Sequence, residues 1–169
     1  MHSQKELIDE WYRRVSVTQA AHYYSAGKFS SRKYLLGVPT VILTTLVGTS
    51  VFAAIQKQPD YWIQILVGLA SVVAALLSGL QTFLGDAERS EKHRTAAAKY
   101  GALGRELECF RIQANRITEE ELSVLRKALN ELAIESPNIP LKTYRKAGAT
   151  ELEILPHTPS QETINTSAS

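Results

Sequence analysis

Two long apolar segments separated by a few residues constrain this chain more than any other feature. Residues 35–55 and residues 62–84 carry no charge over about 21 and about 23 positions, close to the roughly 20 that an α-helix needs to cross a bilayer core. A helical hairpin buried in a soluble protein is the alternative, but 169 residues leave too little chain to cover two such helices on all sides. The segments predict a two-transmembrane helical hairpin in an all-α membrane protein.

The connection between the two spans fixes the expected topology. The sequence QKQPDY joins them, with Pro59 and Asp60 as turn formers, so the spans are antiparallel and both chain ends lie on one side. Basic residues flank the outer ends of the hairpin, whereas the loop has Lys57 alone; the flanking residues are Lys28, Arg32, Lys33, Arg89, Lys92 and Arg94. The positive-inside rule therefore places both termini in the cytoplasm.

The segments outside the spans are predicted to be helical as well. Residues 1–34 have helical apolar spacing, and Gly27 with Ser30 and Ser31 predicts a break before the membrane. Residues 85–135 are predicted to form long cytoplasmic helices, the second of which starts at a capping box of Thr118 and Glu121. Residues 136–169 are rich in proline and polar residues, which favours a flexible tail.

An apolar seam of heptad-like spacing follows the second span. It comprises His93, Tyr100, Leu103, Leu107 and Phe110, and such spacing is typical of a coiled coil, so the seam is expected to join subunits of a homo-oligomer. His93 lies on this apolar face near the membrane exit. It is interpreted as a structural, hydrogen-bonded histidine, with a pH sensor as the alternative.

The sequence carries no signature of an enzyme. The four histidines are scattered, and no metal-ligand spacing, phosphate-binding glycine loop or nucleophile elbow is present. No catalytic, cofactor-binding or metal site is therefore predicted, and no cofactor. A net charge of +2 without a basic, aromatic-rich cluster gives no indication of a nucleic-acid partner.

Polar and small residues inside the spans are the remaining candidates for function. The candidates for lining a water-filled path are Ser71, Ser78, Gln81 and Thr82. The candidates for close helix packing are Thr40, Thr44, Gly48, Ala75 and Gly79. Packing within the bundle is the alternative for each hydroxyl residue, and Thr44, Thr45 and Thr49 are the alternative lining if the second helix does not face the path.

Several motifs resemble the SLATT family of two-transmembrane effector domains. They are GTSVF near the end of the first span, LQTFL at the end of the second, and the series His93, Tyr100, Leu103, Arg105 and Glu106. The resemblance implies a pore-forming effector of a bacterial nucleotide-signalling conflict, or antiphage defence, system. Such an effector permeabilises the inner membrane and causes cell suicide or dormancy, and the nucleotide synthase or sensor is a separate protein.

Two functions remain open from the sequence. In the first, the chain oligomerises in the bilayer into a pore, and a helix that runs without interruption from the second span into the charged segment after Gly85 acts as a lever. In the second, the hairpin only anchors a helical scaffold that recruits partners. Ion flux across liposomes distinguishes these hypotheses.

Overall fold

The architecture is helical throughout the part of the chain that the computed structural model describes, residues 4–56, 60–112 and 117–149. The elements are α1 (Gln4–Gln56), α2 (Tyr61–Leu84), α3 (Asp86–Ile112), α4 (Glu119–Glu135) and α5 (Leu141–Lys146). The all-α prediction is confirmed. Most of the hairpin loop and residues 150–169 of the predicted tail lie outside the described residues. The chain forms two compact units, Ala26–Glu91 and the segments Met1–Ser25 with Lys92–Ser169.

The first helix is longer than the sequence analysis predicts. α1 continues for 53 residues without a break, so the predicted interruption at Gly27, Ser30 and Ser31 is wrong, and no separate N-terminal helix exists. Glycine and serine each cost about 1 kcal/mol or less inside a helix, which does not suffice to end one whose neighbours continue it. Pro39 also lies inside α1, where it removes one N–H from the helical hydrogen-bond pattern.

Two helical stretches are long and apolar enough to cross a membrane. They are Gln4–Val51 within α1, and Tyr61–Ile112, which comprises α2, Gly85 and α3; 0% and 6% of their most apolar windows are buried inside the structure. Large apolar side chains in these stretches are exposed, including Val41, Leu46, Leu66, Leu69 and Leu76. A core helix of a soluble protein would be covered by the rest of the chain. The exposure therefore favours a lipid environment over the buried-hairpin alternative.

Within the unit Ala26–Glu91, one face of each span is partly covered. On α1 this face carries Thr40, Leu43 and Val47, and on α2 it centres on Ala74, the only residue of α2 classed as buried. Of the predicted packing residues, Thr40 lies on the covered face, whereas the rest point outward: Thr44, Gly48, Ala75 and Gly79 are exposed. A Cβ atom added at Gly48 or Gly79 would meet nothing within 4 Å. These four residues therefore make no close contact inside one hairpin, and their prediction as helix-packing residues is left to contacts between copies of the chain.

A single residue separates α2 from α3. Gly85 adopts a left-handed conformation with φ of 58° and ψ of 29°, which glycine enters without the steric cost that other residues carry. The predicted uninterrupted helix from the second span into the charged segment is therefore wrong. The interruption lies at Gly85, the residue at which the sequence indicates a bend.

The second unit, Met1–Ser25 with Lys92–Ser169, has a hydrophobic core made by parts of α1, α3 and α4. Its buried members are Ile8, Val15, Tyr100, Leu103, Leu107, Ile117, Leu122, Leu125 and Leu132. The predicted oligomer seam thus lies inside one chain: His93, Tyr100, Leu103 and Leu107 are at most 7% exposed, and Phe110 packs against the same core. The assignment of the seam to subunit contacts is corrected, because these side chains already pack against α1 and α4.

The start of α4 follows the predicted capping box. The Thr118 hydroxyl accepts from the Glu121 backbone N–H at 3.3 Å, and the Glu121 carboxylate accepts from the Thr118 backbone N–H at 2.9 Å. These two bonds satisfy amides that have no partner inside the helix. Thr118 and Glu121 therefore fix where α4 begins, and the helix ends at Glu135, before Pro137.

Candidate functional site

A cavity of about 360 Å³ lies at the end of the hairpin where the two apolar segments give way to charge. α1 contributes Lys33 and Leu36 to its lining. The remaining lining residues come from the end of α2 and the start of α3: Ser78, Gln81, Thr82, Gly85, Asp86, Ala87 and Glu88. All of these residues belong to the unit Ala26–Glu91, so the site is formed within one folded unit.

This cavity brings together three of the four residues that the sequence predicts to line a path. Ser78, Gln81 and Thr82 all contribute to its wall. Ser71 does not, because it lies about two helical turns away from Ser78 along α2 and donates its hydroxyl hydrogen to the Val67 carbonyl at 2.9 Å. The sequence groups Ser71 with the other three residues because they share a helical face. In the structure Ser71 lies farther along α2, away from the cavity.

The polar side chains of the cavity differ in whether they make a hydrogen bond within the chain. Thr82 donates to the Ser78 carbonyl at 3.1 Å, a bond within its own helix. The Ser78 hydroxyl and the Gln81 amide make no hydrogen bond to any described residue. Both groups therefore retain their full capacity to bond water or a ligand in the cavity.

The Gln81 amide lies close to Gly37 of α1. A Cβ atom at Gly37 would lie 3.5 Å from Nε2 and 3.7 Å from Oε1 of Gln81. The amide thus lies beside α1 at a distance that would give ordinary van der Waals contact with a methyl group at this position. Sequence reasoning missed Gly37, although a glycine three residues into the first apolar segment was the available signal.

Charges of both signs surround the cavity. Lys33, Asp86 and Glu88 line it, and Arg32 forms a long ion pair with Asp86, with 3.6 Å between Nε and Oδ2. The Asp86 side chain is only 4% exposed, and neither carboxylate oxygen accepts a hydrogen bond from the described residues. A buried carboxylate without hydrogen-bond donors is costly.

A second polar feature lies in the core of the other unit, where sequence reasoning found only scattered histidines. His22 and His93 are 1% and 4% exposed, and their Nδ1 atoms are 2.9 Å apart. The His22 ring also stacks on Tyr100, with 5.4 Å between centroids. The interpretation of His93 as a structural, hydrogen-bonded histidine agrees with this geometry, whereas its partner lies 71 residues away and no local pattern identifies it.

Desolvation governs the titration of this histidine pair. Burial, and then the proximity of His93, lower the pKa of His22 to about 4, and burial lowers the pKa of His93. Both rings are therefore neutral near pH 7, and one donates its Nδ1–H to the bare Nδ1 of the other. No group of three or more histidine, cysteine or acidic residues within the described ranges could hold a metal ion.

Comparison with known proteins assigns the chain to a family. The model of the SMODS and SLOG-associating 2TM effector domain family 4 matches residues 5–150. No curated protein and no solved structure shows significant similarity to the chain. Apart from Gln4, the matched region covers all five helices, including the cavity and the histidine pair. The chain therefore belongs to the SMODS and SLOG-associating two-transmembrane effector domain family 4, and so represents a membrane effector of nucleotide-signalling conflict systems.

Proposed function

We propose that this protein forms a homo-oligomeric pore that permeabilises the bacterial inner membrane, with cell death or dormancy as the result. The observation that carries the proposal is the surface of the hairpin. Both spans expose large apolar side chains along their outer faces, and the Ser78 and Gln81 side chains remain unsatisfied at a cavity at one end. Lipid suits the apolar surface, whereas the polar groups require water or another polar partner.

A path for ions requires several copies of the hairpin. Two helices in contact enclose no lumen, so a conducting path has to form between subunits. The outward-facing small residues support close approach of neighbouring copies, because nothing within 4 Å would meet a Cβ at Gly48, Gly68 or Gly79. Polar groups beside such a path keep it wet, whereas an apolar constriction of the same width dewets and closes.

Activation by a separate nucleotide synthase or sensor fits the continuity of α1. This one helix of 53 residues contributes both to the core around Leu107 and to the covered face of the hairpin. In this proposal a rearrangement of the core acts on α1, a helix of 53 residues that is about 80 Å long. In this proposal α1 is the lever instead of the second span, because Gly85 separates α2 from α3.

Flux measurements on matched variants test the pore. We expect purified protein in liposomes to release a trapped ion indicator when activated, and Ser78→Leu to reduce release sharply without changing oligomer size. Thr45→Leu is the control, because Thr45 is exposed outside the cavity and donates to the Val41 carbonyl of its own helix at 2.8 Å. Loss of flux in Thr45→Leu with retention in Ser78→Leu would assign the lining to α1 instead.

A membrane-anchored scaffold is the second candidate, and one observation favours it. The seam predicted to join subunits is buried within one chain, so the unit Met1–Ser25 with Lys92–Ser169 has its own core and is suited to present a surface to partners. This function predicts a monomer in detergent and no flux under any activating condition. An oligomer that conducts would exclude it.

A further inference from the structure

Three contacts join α1 to the first turns of α3 inside one folded unit. One is a buried hydrogen bond, one is a cation–π contact and one is an ion pair. They are the Ser90 hydroxyl with the Ala26 carbonyl at 2.9 Å, the Arg89 guanidinium with the Phe29 ring at 5.9 Å from its centroid, and Arg32 Nε with Asp86 Oδ2 at 3.6 Å. All of these residues lie in the unit Ala26–Glu91. We call these three contacts the clasp.

The two partners of the ion pair differ in burial. The Asp86 side chain is 4% exposed, whereas that of Arg32 is 44% exposed. Neither carboxylate oxygen of Asp86 accepts a hydrogen bond from the described residues, and the 3.6 Å contact is longer than a hydrogen bond. Burial of this charge is therefore offset by one long ion pair and by the α3 dipole, which favours an anion at the helix N-terminus.

This difference in burial determines what happens when the pair is broken. Withdrawal of Arg32 leaves a buried carboxylate without a counter-ion, which is strongly unfavourable. The Asp86 carboxylate recovers its hydration if the first turn of α3 moves away from α1. Loss of the carboxylate, in contrast, leaves a half-exposed arginine in contact with water, which costs little. Removal of Arg32 is therefore expected to open the clasp, and simultaneous removal of Asp86 is expected to cancel that effect.

The residue before Asp86 permits such a movement. Gly85 is the single residue between α2 and α3, and its φ is 58°. Nothing lies within 4 Å of a Cβ atom built on it. Glycine occupies left-handed and right-handed conformations about equally readily. The backbone at Gly85 can therefore change direction without a steric clash of its own.

We propose that the clasp is an autoinhibitory contact, which Arg32 holds closed against the cost of burying Asp86. Its release frees the first turns of α3 from α1 at the end of the second span. The effect of this release on ion flux rests on the proposed pore, in which the closed clasp belongs to the resting form. The release itself is a change within the unit Ala26–Glu91 and is measured without reference to flux.

The accessibility of a single thiol in the full chain measures the release. Ala26 is 4% exposed and its carbonyl belongs to the clasp, so Ala26→Cys is the reporter, in a Cys109→Ser background. The rate at which a water-soluble maleimide labels it follows the fraction of molecules with an open clasp. Ala97→Cys is the reference for general unfolding, because Ala97 is 0% exposed and lies in the other unit.

We expect Arg32→Gln to raise the labelling rate of the Ala26→Cys reporter at least about tenfold. The combination of Arg32→Gln with Asp86→Asn should return the rate close to its starting value, because no buried charge is left without a counter-ion. Lys28→Gln removes an exposed cation from the same helix and is the matched control, which should change nothing. An unchanged rate in Arg32→Gln, or equal rates in the single and double variants, would overturn the proposal.

A second variant keeps the test decisive if Arg32→Gln unfolds the whole chain, which labelling of Ala97→Cys reveals. Ser90→Ala removes the hydrogen bond of the clasp without leaving a charge unpaired. It should raise the labelling rate of the reporter about fivefold, which corresponds to the net contribution of one hydrogen bond. No increase in this variant would contradict the clasp.

Flux through liposomes separates the clasp from the pore. If the proposed pore is right, Arg32→Gln should conduct without an activator, and the double variant with Asp86→Asn should not. A chain whose reporter is labelled rapidly but which never conducts would contradict the pore and support the clasp. A chain that conducts on activation while the Ala26→Cys reporter stays protected would show that opening does not involve the clasp, and the proposal would be wrong.

Discussion

At the scale of single residues, the buried imidazole pair of His22 and His93 makes the stability of its unit dependent on pH. In the folded chain the pKa of His22 is lowered to about 4, whereas an unfolded histidine titrates near its ordinary value of about 6.5. As the pH falls below 6.5, the unfolded chain takes up protons that the folded chain does not. The free energy of unfolding should therefore decrease between about pH 6.5 and about pH 4, by about 3 kcal/mol for His22.

Thermal unfolding followed by circular dichroism measures this pH dependence. The double variant His22→Gln/His93→Gln is the reference, because its remaining titratable groups contribute equally to both curves. We expect the melting temperature of the unmodified chain to fall more steeply below about pH 6.5 than that of the variant. Parallel curves would show that the pair takes up protons equally in the folded and the unfolded chain, and the lowered pKa of the folded state would then be wrong.

A second residue-scale prediction concerns the core of the same unit. Leu107 is 0% exposed, and Leu107→Ala removes apolar contacts and leaves a cavity, which costs about 2–5 kcal/mol. Val124→Ala is the control, since Val124 is 68% exposed and its truncation should change stability by less than about 0.5 kcal/mol. Denaturant unfolding gives both values. If Leu107→Ala abolishes oligomers without lowering stability, the seam forms a contact between subunits after all.

At the scale of helices, two glycines predict opposite outcomes for the same substitution. Nothing lies within 4 Å of a Cβ built at Gly27 or at Gly85, but Gly85 has φ of 58° and Gly27 lies inside α1. Gly27→Ala should stabilise by about 0.5–1 kcal/mol, because alanine favours helix. Gly85→Ala should destabilise by about 1–2 kcal/mol, because its Cβ is strained in the left-handed region.

The two alanine variants report on the bend through melting temperature and helical ellipticity. A rise for Gly27→Ala and a fall for Gly85→Ala is the expected pair of results. Stabilisation by both substitutions, with a gain in helicity at Gly85, would show that α2 and α3 can merge into one helix. In that case the continuous second helix expected from the sequence would be an accessible conformation.

The helices also show what a sequence of this kind determines and what it leaves open. Hydrophobicity and length predicted the two long apolar helices, and the side chains of Thr118 and Glu121 predicted the start of α4. Both signals depend only on near neighbours in the chain. The predicted break at Gly27 was wrong because the low helix propensity of one glycine is a small cost compared with the stability of the helix on both sides of it. The seam containing Leu103 failed because periodicity identifies a buried face and not the partner that buries it.

The same reasoning applies to the candidate site. Ser78, Gln81 and Thr82 could be selected from the second span because polar residues are rare in apolar segments. Lys33 and Asp86 were not predicted to line the site, since charged residues are expected at the end of any span. Their convergence on one cavity depends on how α1 packs beside α2, which no spacing along either helix encodes.

At the scale of the whole molecule, topology is the property that every functional proposal requires. The distribution of basic residues predicts that both termini lie in the cytoplasm and the hairpin loop lies outside. Asp60→Cys in a Cys109→Ser background should react with an impermeant thiol reagent added to intact cells, because Asp60 is exposed next to the loop. The native Cys109, itself exposed, should react only after the membrane is permeabilised. The reverse pattern would invert the orientation.

The hydroxyl groups of the first span have a consequence for how copies of the chain can exchange neighbours. Thr44, Thr45 and Thr49 donate to carbonyls of their own helix at 2.8–3.0 Å, so each is satisfied without help from another molecule. Turning this face from lipid to protein, or back, breaks no hydrogen bond. If copies of the chain assemble as the proposed pore requires, these three hydroxyl groups would therefore keep their hydrogen bonds whether the helix faces lipid or a neighbouring copy.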